Sequence, residues 1–202
     1  EATGVMVTRA LQEVCEWKSK FRMAMDDERY KEFVKLYKPD VSCDGNFISR
    51  AEFKLREIIN MVGMYNKKFL TSLDLCAGPG GFTKVLLDLT NGEVMFHRYV
   101  ACTPAAEMKW DVLNKCDVLG RLRDVTGVMM SGDLLDTRYC DRLIRNVESC
   151  CKGVELVVAD GALHEDDSDC QYDVNYKLIE AEVKVIKAVL SDGGVSVVKV
   201  FA

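Results

Sequence analysis

The sequence holds only two histidines, His97 and His164, far apart, and none of its nine cysteines forms a Cys-x-x-Cys pair. Those spacings offer no zinc site, and no other metal is called for. An odd number of cysteines in a 202-residue chain also argues against a disulfide scaffold; reduced thiols in a reducing compartment fit better. There is no run of eighteen apolar residues, so no membrane span is expected, and no signal-peptide pattern opens the chain. Internal repeats and low-complexity linkers are missing. The glycine-rich turn at Gly78–Gly81 lacks the lysine and hydroxyl of a phosphate-cradling loop, and it lacks the spacing of a dinucleotide fingerprint. A positive excess is missing too: the formal net charge is −5, which excludes a wholly basic RNA-coating protein.

What is present suits one globular domain, with 49% hydrophobic residues and length enough for a sizeable core. The chain is organised around Ser72-Leu73-Asp74-Leu75-Cys76-Ala77-Gly78-Pro79-Gly80-Gly81-Phe82-Thr83. Leu70, Leu73 and Leu75 supply an apolar strand. The glycines allow a tight turn and close backbone approach, and Val85, Leu86, Leu87 and Leu89 mark the helix beyond it. A strand–turn–helix of this kind offers backbone N–H groups beside the carboxyl end of a parallel strand. Without a pyrophosphate cradle, a nucleoside ligand fits it best, and an ordinary packing turn is the competing reading.

Around this stretch, strand and helix patterns alternate. Residues 5–38 read as one or two helices, closed by Pro39 and Ser42-Cys43-Asp44-Gly45-Asn46. Ser49 and Glu52 form a capping box that opens a helix with a buried stripe of Ala51, Leu55, Ile58 and Val62. Strands are predicted at Arg98–Cys102, Gly127–Met130, Val154–Gly161 and Val195–Phe201, with helices over 137–150 and 174–190 and a polar loop at His164–Asp173. The runs are continuously apolar, as in parallel strands buried on both faces. The fold predicted is α/β: a Rossmann-like, doubly wound, mainly parallel sheet over residues 47–202, with an N-terminal helical extension at 1–46. Such folds bind ligands outside the carboxyl ends of their strands. That rim would collect the glycine turn, Asp133, Asp160 and the end of the last strand.

Two residues there are unusual. Asp160 stands at a strand end, and Lys199 lies within an apolar strand, where a buried cation needs a carboxylate or a polar cleft. For each, a bland role remains open: a turn cap for Asp160, an edge position for Lys199. Lys54, one turn after Arg50, would by spacing alone simply snorkel to solvent. Charge divides unevenly, with 13 Lys and Arg against 11 Asp and Glu in residues 1–68, and 14 against 21 in residues 69–202. Any nucleic-acid patch is therefore expected in the N-terminal third.

Taken together, Ser49-Arg50-Ala51-x-x-Lys54-Leu55, Leu73–Phe82, Ala159-Asp160-Gly161 and Gly193-Gly194-x-x-x-Val198-Lys199-Val200-Phe201 resemble the FtsJ/RrmJ-type 2′-O-ribose methyltransferases, from about Ser49 to Phe201. Leu75–Phe82 and Ala159–Gly161 most resemble the cap-specific mRNA branch of eukaryotes and their viruses. The resemblance implies a class I methyltransferase sheet, S-adenosylmethionine as cofactor and RNA, most readily 5′-capped mRNA, as substrate. The family's Lys-Asp-Lys-Glu tetrad carries over as Lys54, Asp160 and Lys199. Its glutamate would lie beyond residue 202, and a chain starting at Glu1 and stopping just after a strand reads as a piece of a longer polypeptide with other domains. A viral replicase in the cytoplasm is the preferred source, a nuclear cap enzyme the cellular alternative.

In that reading a ribose 2′-hydroxyl must lose its proton as it attacks the methyl in line. Lys199 beside a second cation, Lys54, would supply the neutral amine as base, with Asp160 orienting both. The resemblance implies donor contacts at Asp74, Cys76, Ala77, Gly78, Pro79, Gly80, Gly81 and Phe82, with Asp133 on the adenine amino group and Asp136 as fallback. Thr103, in Cys102-Thr103-Pro104, stands where many such enzymes have an acid for the donor's ribose. Arg50, Arg56, Lys67 and Lys68 are candidate RNA phosphate contacts. Tyr30, Tyr37, Phe47 and Tyr65 are candidate base-stacking residues. Methylation of ribosomal or transfer RNA, and an inactive donor-binding scaffold, remain as alternatives. A nicotinamide oxidoreductase is disfavoured by the glycine spacing.

Overall fold

In the computed structural model, the residues described are 48–98, 110–127, 132–163 and 168–200. Up to Lys199 they belong to one compact unit, Asp44–Lys199. The predicted 1–46 extension lies outside the described residues. The elements in chain order are α1 (Arg50–Met61), β1 (Phe69–Leu75), α2 (Gly81–Leu89), β2 (Thr90–Phe96), α3 (Trp110–Cys116), β3 (Leu122–Asp124), α4 (Thr137–Cys150), β4 (Val154–Ala159), α5 (Ser168–Val189) and β5 (Leu190–Val198). The strands form a five-stranded sheet in the order β3-β2-β1-β4-β5, with all four pairings parallel. The strand order reverses between β1 and β4, and doubly wound sheets open their ligand crevice at that switch point.

Alternate side chains of each strand face opposite layers. Phe69, Val94, Phe96, Leu156 and Val158 pack with α1, α2 and α3. Leu73, Leu75, Met95, Val157 and Ala159 pack with α4 and α5. Fully burying a side chain of this size contributes about 1.5–3 kcal/mol, and the two layers together hold the sheet. The first layer carries a polar seam. Ser72 accepts from the Thr90 hydroxyl at 2.8 Å, and Asp74 accepts from the Thr83 hydroxyl at 2.6 Å. The first bond ties β1 to β2, and the second ties it to α2.

Several predicted boundaries are corrected. The second strand is Thr90–Phe96, ahead of the predicted Arg98–Cys102, of which 99–102 lie outside the described residues. Asn91-Gly92 reads as a turn, yet Gly92 is in the strand because only a bare Cα fits there: a Cβ would come 2.0 Å from the Leu70 carbonyl oxygen. The third strand is Leu122–Asp124, a polar sequence that pairs with β2 alone and is largely exposed. Of the predicted Gly127–Met130 strand, residues 128–130 lie outside the described residues. The buried stripe of α1 is Glu52, Leu55 and Ile59, while Val62 is exposed. Ser49 makes no side-chain cap bond; Glu52 alone reaches back, accepting from the Ile48 amide at 3.3 Å. The last helix starts at Ser168 and runs straight into β5, which ends at Val198. Lys199 therefore stands just past the strand, its amide still bonded to the Ala159 carbonyl at 2.9 Å.

These contacts set a stability test. Gly92→Ala should lower stability by about 1–3 kcal/mol through overpacking against β1 backbone, read as a reduced melting temperature. Leu70→Ala, at a side chain 65% exposed, should stay within about 0.5 kcal/mol of the parent. Equal melting temperatures for Gly92→Ala and the parent would overturn this packing account.

Candidate active site

At the carboxyl ends of β1 and β4, a cleft of about 190 Å³ is lined by Cys76, Gly78, Gly132, Asp133, Leu134, Asp160, Gly161, Ala162, Leu163 and Leu178. Its floor is the exit of β1. Cys76 adopts the left-handed region with φ 61°, a strained conformation for a residue with a Cβ. Its amide donates to His97 Nδ1 at 3.2 Å, and the next amide, of Ala77, donates to the His97 carbonyl at 2.8 Å. The His97 amide in turn donates to the Asp74 carbonyl at 2.9 Å. Because Nδ1 accepts, the ring proton is on Nε2, which donates to the Gly132 carbonyl at 2.9 Å. His97 thus joins the exits of β1 and β2 to the Gly132-Asp133 corner. Burial pulls its pKa down to about 4, so the ring is neutral across the physiological range.

On the other wall, Asp160 comes directly after β4 and Lys199 directly after β5. Lys199 Nζ lies 2.7 Å from Asp160 Oδ1 and donates to the Asp160 carbonyl at 3.2 Å. Adjacent parallel strands ending in register bring the two together, with Ala159 opposite Val198. Beneath them is Glu182 of α5, which is 1% exposed. Its Oε1 accepts the Gly161 amide at 3.2 Å. Burial pushes Glu182 up to about 7 and Asp74 up to about 8, despite the bonds each accepts. A half-exposed ion pair over two buried, readily neutralised acids is the electrostatic layout of the site.

The sequence-derived candidates divide among several locations. Cys76, Gly78, Asp133 and Asp160 line the cleft, and Lys199 contacts Asp160 at its edge. Asp133 Oδ1 also accepts from the Leu135 amide at 2.9 Å. Asp74, Ala77 and Phe82 are buried behind the wall, where they shape the turn and make no part of its surface. Gly80, with φ 105°, caps α2, next to the half-buried Pro79. Gly81 admits α1, since a Cβ there would come 2.3 Å from Ser49 Oγ. Asp136 is engaged as the N-cap of α4. Thr103, Tyr30, Tyr37 and Phe47 lie outside the described residues. Lys54 is exposed on α1, and no ion pair among the described residues joins it to Asp160.

The basic candidates near Lys54 are corrected. Only Arg50, exposed at the start of α1, lies by the glycine turn. Lys67 and Lys68 precede β1, whose seven residues put them roughly 20 Å from the turn at about 3.3 Å per residue. Arg56 points the same way, donating to Asp88 at 2.7 Å and Glu52 at 3.0 Å, and Lys68 bonds the Asp88 carbonyl. Tyr65, also exposed, shares that distal groove. Sequence spacing put Arg56 beside Lys54, but a helix side chain two residues on faces elsewhere.

His97 and Glu182 were not among the candidates. Glu182 carried a signal, since it interrupts the apolar stripe Leu178, Val185, Val189 at helical spacing. His97, directly after a strand, carried one only once β2 was placed.

The FtsJ-like methyltransferase family profile matches residues 47–202. The cap-specific mRNA (nucleoside-2′-O-)-methyltransferase 2 of Drosophila melanogaster is 27% identical over 169 residues, which cover 77% of this chain and 24% of that protein. The chain thus spans about a quarter of the relative's length. Among solved structures, a ribosomal RNA methyltransferase from Plasmodium falciparum superposes with a TM-score of 0.55 at 15% identity, covering 75% of this chain and 77% of the other. That likeness is one of fold.

The buried acids give a pH test. Unfolded, Asp74 and Glu182 release their protons near ordinary carboxylate values; folded, they keep them to about 8 and about 7. Between those limits the unfolded chain binds fewer protons, so these groups make stability fall as pH rises. His97 acts oppositely, its contribution lost as pH drops from 6.5 towards about 4. Stability from denaturant melts should therefore decline between pH 6 and 9 by at least ~2 kcal/mol, and Asp74→Asn should remove about half of the decline or more. An unchanged slope in Asp74→Asn would show that Asp74 is ionised throughout.

Proposed function

The chain belongs to the FtsJ-like methyltransferase family, and from that premise we propose that it transfers a methyl group from S-adenosylmethionine to a ribose 2′-hydroxyl of RNA, at the cap-adjacent nucleotide of mRNA. The observation that carries this reading is the Lys199–Asp160 pair, 2.7 Å apart, at the edge of a cleft that opens where the strand order reverses. The residues fit the donor. Gly78 leaves open the wall beside Cys76, and the half-buried Asp133 is a hydrogen-bond acceptor for an exocyclic amine. When bound, the donor supplies a methyl already activated on a sulfonium leaving group.

What remains for the protein is to position the hydroxyl and to take its proton. Lys199 is the base. Asp160 holds its Nζ through the carboxylate and the carbonyl together, which fixes the direction in which the nitrogen lone pair can point once the amine is neutral. The proton gained then rests on an ammonium already facing a carboxylate, so the charge that develops needs no reorganisation. Lys54 stands on α1, whose first turn packs on the start of α2 beside the glycine turn, and with Arg50 it offers cations to the RNA backbone. The cap-adjacent choice is supported by the run Leu75–Phe82 and by the similarity to the Drosophila protein.

Calorimetry with S-adenosylmethionine, and transfer of a labelled methyl to short RNAs with and without a 5′ cap, test the reading. The expected result is donor binding and labelling of capped RNA alone. Lys199→Ala should lower the rate at least ~100-fold, in the range of a lost general base, with donor binding retained. Equal labelling of uncapped RNA would overturn the cap assignment. Absence of donor binding would overturn the enzyme reading.

A further inference from the structure

The Lys199–Asp160 pair stands on backbone that a third residue holds in place. Cys76 and Gly161 leave the sheet from adjacent strands. Leu75 is opposite Ala159 in the last step of the β1–β4 ladder, and one residue further Cys76 has turned into the left-handed region. The two lips of the cleft part at that point. Glu182 fills the gap between them from below. Its Oε1 accepts the Gly161 amide at 3.2 Å, and its carboxyl accepts a hydrogen bond from the Cys76 thiol. The fit is close: a Cβ on Gly161 would come 2.3 Å from Glu182 Oε1, 2.9 Å from Leu178 Cδ2 and 3.1 Å from Cys76 Sγ.

We propose that Glu182 is a positioning residue for methyl transfer: its buried side chain staples the donor wall at Cys76 to the Asp160-Gly161 backbone, and so sets the spacing between donor and base. The proposal rests on the methyl-transfer reading. Asp160 is then held from both neighbours, by the bond from the Lys199 amide to Ala159 and by that from the Gly161 amide to Glu182. Losing the second bond frees the carboxylate that orients Lys199. It also leaves a buried amide unsatisfied, which drives the lip to rearrange. Near neutrality the carboxyl exists in both protonation states, because burial has pushed it up to about 7. Either state retains an oxygen that accepts from Gly161. The staple therefore depends on the acceptor and not on the charge, which separates it from a purely electrostatic role.

The test compares the parent with Glu182→Ala, Glu182→Gln and Glu182→Met, the last filling the site without an acceptor should the alanine variant fail to fold. Two readouts are taken below the melting temperature of every folded variant: kcat and RNA KM at saturating donor, and the exchange rate of the Gly161 amide by NMR. Glu182→Ala or Glu182→Met should lower kcat at least ten-fold with KM unchanged and speed Gly161 exchange at least ten-fold. Glu182→Gln should keep both within three-fold of the parent. Full kcat in the variants without an acceptor, a glutamine variant as impaired as they are, or unchanged Gly161 exchange would overturn the proposal. The exchange readout needs neither donor nor RNA. A parent that transfers no methyl would therefore overturn the functional reading and leave the staple to be judged by exchange.

Discussion

The pairing of β1 on both sides is the constraint on which the cleft depends. β1 bonds to β2 on one edge and β4 on the other, so its backbone cannot shift without breaking two ladders. Its carboxyl end is therefore a fixed point, and everything chemical is referred to it. The glycine turn leaves from it, Asp160 leaves from the neighbour on one side, and His97 leaves from the neighbour on the other. A strained Cys76 is tolerable there because His97 holds the turn, its ring accepting the Cys76 amide and its carbonyl the Ala77 amide. The rigidity of the sheet is what allows its rim to hold strain.

Around the cleft, titratable groups divide by burial: Asp74, Glu182 and His97 are shifted toward their neutral forms, and the Lys199–Asp160 ion pair is half-exposed. Asp74 and Glu182 are pushed upward by burial, and His97 is pushed down. The ion pair of Lys199 and Asp160 keeps partial access to solvent, which limits its desolvation cost. The proposed methyl transfer, in which a ribose hydroxyl gives up its proton, would gain from this division. As the proposed base, Lys199 would exchange protons at the surface, while the buried groups around it hold the backbone in place.

The layout of helices and strands was legible in the sequence because both-face-buried parallel strands leave continuous apolar runs. β1 and β4 fell where Leu73-Asp74-Leu75 and Leu156-Val157-Val158 indicated. The edge strand β3 was not legible, since Leu122-Arg123-Asp124 has one neighbour and little burial. β2 hid behind Asn91-Gly92, a turn signal whose glycine serves close packing. At the site, Asp160 and Lys199 announced themselves as polar residues at the ends of apolar runs. Asp74 also stood out, but its burial makes it part of the frame. The acid of α5 was harder, because Glu182 sits in a helix in which glutamate is ordinary and only its place in an apolar stripe marks it, whereas Glu52 showed as a capping-box partner but not as a buried group.

The same packing decides which cations stay exposed for the RNA of the proposed reaction. α1 runs alongside α2, from Ser49 at Gly81 to Arg56 at Asp88, and Glu52 accepts charge from both Arg56 and Lys84. The modest positive excess of residues 1–68 is thereby reduced on this face. Arg56 and Lys68 serve to hold α1 and β1 against the end of α2, with Asp88 as their shared anchor. The exposed cations at the cleft end of α1 are Arg50 and Lys54, one helical turn apart on adjoining positions of a single face. The starts of α1 and α2 lie side by side there, adding the positive ends of two helix dipoles. For the RNA substrate proposed above, two side chains and two helix ends among the described residues offer contacts to only a few phosphates.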